Sequence, residues 1–267
     1  MIFIKKVQQH LLRAEFMARQ KFVRGTLAGR QRLIFLHIPK CAGSSLTSYF
    51  RPRLGTAGSG RFKYLFDWRM REDWHDQVAQ ARQATFVTGH FGADALDEIR
   101  KESFSCTFLR EPRSRLRSHF KYFSTAEDEA EDHVPTKDYL TFLTSDLPVC
   151  LRGADNVIAR QLAVAYDIDR AARVPRAAWL DRAQRTLESL DFVGFQESFD
   201  ADFAALLERL HLRPPPAPPR TNVTEDMRSK AERHELVITQ EVLEAEDRCL
   251  TLDLELYAFA RVRAERP

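Results

Sequence analysis

FLHIPKCAGSSLTSYF, residues Phe35 to Phe50, decides how the rest of the chain is read. The run RLIFLH from Arg32 to His37 is short, apolar and stopped by Pro39, the pattern of a buried strand. A turn holding Lys40 and Gly43 follows, and GSSLTSYF from Gly43 reads as a helix start with serines at its N-terminus. Such a turn leaves backbone N–H groups at the positive end of a helix, where an anionic group is favoured. Ala42 and Gly43 are small enough to admit that group to the backbone, and the hydroxyls of Ser44 and Ser45 can bond to it. A Walker A loop places its lysine after the second glycine, beside the hydroxyl that holds magnesium. Lys40 instead precedes Gly43, so an ATP- and magnesium-dependent kinase is the weaker alternative. A plain strand–turn–helix joint with a capping serine is the structural one.

Outward from that segment, TFVT (Thr85 to Thr88), SCTFL (Ser105 to Leu109) and DFVGF (Asp191 to Phe195) read as further strands. Helical patterns run from Phe199 to Leu210 and from Thr239 to Val262. The alternation predicts a three-layer α/β fold, a central parallel sheet with helices on both faces. Ligands of such sheets bind outside the carboxyl ends of the strands. GTAGSG from Gly55 is a flexible loop, EDEAED from Glu127 an exposed acidic stretch, and PPPAPP from Pro214 a stiff connector. The chain of 267 residues is 44% hydrophobic, enough for one domain over residues 25–267. Residues 1–24 form a cationic amphipathic helix that either covers the protein's own core or lies peripherally on an anionic membrane.

Composition narrows the partners. A net charge of +3 favours anionic ligands, and no concentrated basic block suggests nucleic acid. The 4 cysteines lack metal or disulfide spacing, which suits a reducing cytoplasm. No apolar run approaches the ~20 residues of a membrane span. Oligomeric state is not legible.

Two later segments carry chemistry. In CTFLREPRSRLRSHFKYF, Arg110 ends a strand, Pro112 suits a helix start, and Ser118 lies two turns on. Arg110 and Ser118 could converge on one phosphate. For Arg115 and Arg117 a solvated basic face is the expectation. In FVTGHFGADAL, His90 stands at the strand end with Gly92 adding room. Histidine titrates near neutrality and can take a hydroxyl proton, with Asp94, Asp97 and Glu98 as fallback bases. His37, inside the strand end, reads as structural.

HIPKCAGSSL closely resembles the 5′-phosphosulfate loop of the carbohydrate sulfotransferases related to heparan sulfate 2-O-sulfotransferase, with Cys41 where threonine is usual. RxPxxRxxSHF from Arg110 is similar to that family's 3′-phosphate stretch, with Glu111 in place of aspartate. DNVIARQL, DFVGFQESFDADFAALL, RTNVTED and LDLELYAFA extend the likeness over most of the chain. The resemblance implies a P-loop NTPase-like fold and 3′-phosphoadenosine-5′-phosphosulfate (PAPS) as sulfuryl donor, without a metal. It assigns Pro39, Lys40, Cys41, Ala42, Gly43, Ser44, Ser45 and Leu46 to the 5′ end of the donor, and Arg110 and Ser118 to its 3′-phosphate. Lys40 would stabilise the leaving oxygen, and His90 would be the base for a carbohydrate or glycolipid hydroxyl. The expected enzyme is a cytoplasmic, bacterial-type member. A non-catalytic glycan- or membrane-binding module is disfavoured by the presence of Lys40, His90, Arg110 and Ser118 together.

Overall fold

The computed structural model describes residues 32–54, 62–67, 72–124, 133–215, 217–219 and 236–265. The expected N-terminal helix, the glycine loop, the acidic stretch and RTNVTED lie outside the described residues. The strands are β1 (Arg32–Leu36), β2 (Phe62–Phe66), β3 (Phe86–His90), β4 (Ser103–Leu109) and β5 (Phe192–Phe195). The first six helices are α1 (Gly43–Leu54), α2 (Trp74–Gln83), α3 (Ala93–Ile99), α4 (Pro112–Phe123), α5 (Tyr139–Thr144) and α6 (Pro148–Ala154). The others are α7 (Val157–Ala163), α8 (Ile168–Ala171), α9 (Trp179–Ser189), α10 (Phe199–Arg209) and α11 (Gln240–Ala264).

All strand pairs are parallel, in the order β2-β3-β1-β4-β5. The two-residue period of β1 divides the core. Leu33 and Phe35 face α1 and α10, whereas Ile34 and Leu36 face a layer built from α2, α3, α7, α9 and the end of α11. A third cluster joins α4, α5 and α6 to the start of α11. The expected three-layer α/β fold is therefore the one formed.

Two strand boundaries bear on function. β3 continues past Thr88 because Gly89, with φ 137°, lets β2 come close; a β-carbon there would lie 2.0 Å from the Leu65 carbonyl oxygen. That extension carries His90 to the sheet edge. The edge strand β2 has only one fully buried side chain, Leu65, and its sequence gave no strand expectation.

The DNVIARQL segment is a brace. Asn156, at φ 40°, wedges into α11: its N–H donates to Cys249 O (2.8 Å), and its Oδ1 accepts from the N–H groups of Leu252 (2.7 Å) and Asp253 (3.2 Å). The Asp253 carboxylate accepts in turn from Ile158 and Ala159 at the start of α7. Arg160 donates to the carbonyls of Leu151, Arg152 and Asp155 at the end of α6. The bonds of Asp253 and Arg160 satisfy groups at the start of α7 and the end of α6 that would otherwise be orphaned, whereas those of Asn156 lie in mid-α11.

Candidate active site

The segment between β1 and α1 curls through two left-handed non-glycine residues, Lys40 (φ 67°) and Ala42 (φ 59°). Strain of this kind persists only where the surroundings hold it, and it turns successive N–H groups toward one side. Cys41 N–H donates to Ile38 O (3.3 Å), and the N–H groups of Ser45 and Leu46 donate to Ala42 O (3.1 and 3.3 Å). Among the described residues, the N–H groups of Lys40, Ala42 and Gly43 have no acceptor. These donors, with the N-terminus of the 12-residue α1 behind them, are chemically suited to an oxyanion.

Several loop residues do other work than the sequence suggests. A β-carbon at Gly43 would lie 1.9 Å from the His37 ring, so its smallness admits that imidazole. Gly92 likewise gives no room: a β-carbon would lie 2.2 Å from Val164 O, and the glycine lets the 164–165 backbone pass. The side chains of Cys41 and Leu46 are in the core. Burial pushes the Cys41 thiol up to about 12, so it stays protonated rather than being activated by the helix.

Lys40 reaches across the loop, its Nζ 3.8 Å from the centroid of the Tyr122 ring on α4. Burial, and next the Arg110 guanidinium, bring its pKa down to about 8. Arg110, at the end of β4, donates to the Lys40 carbonyl at 3.4 Å. Burial also lowers the pKa of Arg110. Glu111 caps α4, its carboxylate accepting from the N–H groups of Arg113 (3.0 Å) and Ser114 (2.7 Å), with Pro112 in the first turn. Ser118 is half-buried on the same helix. The Glu111 N–H donates to Glu197, just past β5, and Glu197 also accepts from the Tyr257 hydroxyl.

Arg115 and Arg117 are not a solvated face. Arg115 is 0% exposed and donates to Gly153 O at 2.7 Å. Arg117 makes a two-pronged ion pair, 2.7 and 2.8 Å, with Glu246 of α11, which also accepts from the Tyr139 hydroxyl. Both arginines dock α4 onto its neighbours and so fix the helix that carries Ser118 and Tyr122.

His90 lies beside the strand end that leads into the Lys40 loop. Its Nδ1 is 2.7 Å from the His37 carbonyl oxygen. A carbonyl only accepts, so Nδ1 carries the proton and Nε2 of the neutral ring carries the lone pair. That is the tautomer a base acting through Nε2 requires. The His37 and His90 rings are 4.4 Å apart, and the Tyr166 ring is 5.5 Å from His90. Burial, and next His90, hold His37 well below the ordinary imidazole range, so it stays neutral. Fallback candidate Asp94 is instead 3.5 Å from Arg182.

Sequence reasoning missed four contributors. Gln161 is 0% exposed and its Nε2 donates to the carbonyls of His37 (3.1 Å) and Phe91 (2.8 Å), tying the end of β1 to the segment after β3. Asp67, buried after β2, accepts from the N–H groups of Tyr166 (2.7 Å) and Asp167 (2.9 Å) and so holds the segment beside His90. His119 is buried, with Lys40 and His90 both acting on it electrostatically; burial first holds it well below the ordinary range. Tyr122 holds Lys40. Gln161 lies within DNVIARQL and His119 within the SHF stretch, which flagged their neighbourhoods; Asp67 and Tyr122 carry no local signal.

A family model described as the sulfotransferase family matches residues 24–260. No curated protein matches the chain. The match spans every strand and every residue of the site described above.

Proposed function

The chain belongs to the sulfotransferase family and so transfers a sulfuryl group, and from that premise we propose that its donor is PAPS and its acceptor a hydroxyl of a carbohydrate or glycolipid. Kinship with the carbohydrate enzymes related to heparan sulfate 2-O-sulfotransferase belongs to the same proposal. The observation that carries it is the juxtaposition of the left-handed Lys40–Ala42 loop with Arg110, bonded to the Lys40 carbonyl, and with His90, bonded through Nδ1 to the His37 carbonyl. When bound, PAPS supplies a sulfuryl group on an anhydride oxygen together with a 3′-phosphate, and this chain has an anion-binding segment for each. The N–H groups of Lys40, Ala42 and Gly43, with Ser44 and Ser45, fit the 5′ end. Arg110 and Ser118 fit the 3′-phosphate.

In this reading Nε2 of His90 takes the acceptor hydroxyl proton as the new O–S bond forms. The Lys40 ammonium neutralises charge gathering on the oxygen whose bond to sulfur breaks, an interaction strongest in the transition state. Lys40→Ala therefore lowers turnover more than affinity for the product nucleotide; equal losses would assign Lys40 to binding alone. Positioning and electrostatics, as in phosphoryl transfer, carry the rate.

Calorimetric titration with adenosine 3′,5′-bisphosphate in EDTA, with AMP as control, tests the proposal. Tight binding of the bisphosphate and weak binding of AMP support a metal-free two-phosphate site. Binding of neither would withdraw PAPS. Peripheral contact of residues 1–24 with a membrane surface, as opposed to cover for the protein's own core, is a separate proposal. Their deletion without change in membrane sedimentation would remove that contact. No helix among the described residues is long and apolar enough to cross a membrane.

A further inference from the structure

Lys40 is half-buried, and the guanidinium groups that act on it, Arg110 and Arg115, share its charge. Among the described residues, the other groups acting on it are the buried thiol of Cys41 and the histidines His37 and His119, which are neutral near pH 7. Among the described residues, the Tyr122 ring, 3.8 Å from Nζ to its centroid, is a contact that favours an ammonium here. An aromatic face attracts a cation through its quadrupole, more strongly as water is removed.

We infer that Tyr122 is a positioning residue: its ring holds the Lys40 side chain charged and aimed between the two anion-binding segments before the donor arrives. This rests on the role proposed above for Lys40. The ring sits on α4, the helix that carries Ser118, so it couples Lys40 to the 3′-phosphate arm through side chains as Arg110 does through the Lys40 carbonyl. Tyr122 is 36% exposed, so replacing it opens no core cavity.

The test follows the Lys40 side chain by NMR in lysine-labelled enzyme between pH 6 and 11, assigned with Lys40→Arg, with no ligand present. In the wild type the Lys40 ε-protons are displaced upfield by the ring, and Tyr122→Phe preserves both displacement and midpoint. Tyr122→Leu abolishes the displacement and lowers the midpoint by roughly half a unit to one unit. In calorimetry with adenosine 3′,5′-bisphosphate at pH 8.5, Tyr122→Leu binds several-fold more weakly and Tyr122→Phe matches wild type. An undisplaced ε-proton signal in the wild type, or a midpoint unmoved in Tyr122→Leu, overturns the inference. The NMR measurement needs no nucleotide, so failure of the bisphosphate to bind bears on the proposed donor and not on Tyr122.

Discussion

Raising the pH from 7 to 9 should convert nucleotide binding into a proton-uptake reaction, with Lys40 as the group that takes the proton. Its pKa in the ligand-free enzyme is about 8, lowered by burial and then by Arg110. At that value the amine is about 10% deprotonated at pH 7 and about 90% at pH 9. One phosphate charge some 4 Å away is worth about 4 kcal/mol at an effective dielectric of 20, or roughly three pKa units. The bound enzyme therefore holds Lys40 protonated across the whole window. Binding adenosine 3′,5′-bisphosphate should take up about 0.1 proton at pH 7 and about 0.9 at pH 9, with affinity about tenfold weaker at pH 9. Calorimetry in buffers of different ionisation enthalpy reads the uptake directly. His37 and His119 stay neutral throughout, and Cys41 stays a thiol. Asp67, pushed by burial to about 7, lies behind His90; Lys40→Arg, which fixes the charge, separates its contribution by removing only the Lys40 uptake. Tight binding with no uptake at pH 9 and a flat affinity profile would refute the idea that Lys40 faces the bound anion.

Four substitutions probe the frame around that lysine. Gly43→Ala drives a β-carbon to 1.9 Å from the buried His37 ring and should cost about 3 kcal/mol, read as a melting temperature lower by roughly 6–12 °C. Cys41→Thr should change stability by less than about 1 kcal/mol, because the side chain only fills a core site and can donate to Pro39 O as the thiol does. In the unmodified protein, iodoacetamide at pH 8 should spare Cys41 in peptide mapping, since about one thiol in 10,000 is ionised there. Gln161→Met removes both donations that tie β1 to the segment after β3; turnover should fall about tenfold or more while bisphosphate affinity stays within about twofold. Asn156→Ala strips two α11 N–H groups of their acceptor at a left-handed position and should lower unfolding free energy in urea by about 3–5 kcal/mol.

The fold was legible where the chain announces burial by itself. β1, β3, β4 and β5 are apolar runs bounded by turn residues, and each appears within a residue or two of its expected place. β2 escaped because an edge strand with one fully buried side chain needs little hydrophobic signal. What the sequence hid depends on partners brought from far along the chain. Arg115 and Arg117 look solvated on a helical wheel because nothing local shows that Gly153 and Glu246 will face them. Gly43 and Gly92 suggest open space in sequence, yet a ring fills one gap and a passing backbone the other. His90 stood out by its place at a strand end, but its tautomer depends on the carbonyl of His37, just past the neighbouring strand β1.

The order of the strands also bears on the geometry of transfer. Each strand contributes a residue at or beyond its carboxyl end: Asp67 after β2, His90 at the end of β3, the Lys40 loop after β1, Arg110 after β4 and Glu197 after β5. Neighbouring strands are about 4.8 Å apart, so β3, β1 and β4 set His90, the Lys40 loop and Arg110 side by side in that sequence. In-line displacement needs the attacking oxygen and the leaving oxygen on opposite sides of the sulfur. In the proposed reaction, His90 on one flank of the loop and Arg110 on the other would favour that arrangement. The two outer strands then act as braces, Asp67 fixing the backbone beside His90 and Glu197 fixing the backbone beside Arg110. Loosening either brace should misplace one flank and spare the other. Asp67→Asn, whose amide would turn a donor toward one of two backbone donors, should therefore impair turnover while leaving bisphosphate affinity within about twofold. Glu197→Gln keeps one acceptor for the Glu111 N–H but removes its charge, and should weaken the bisphosphate first.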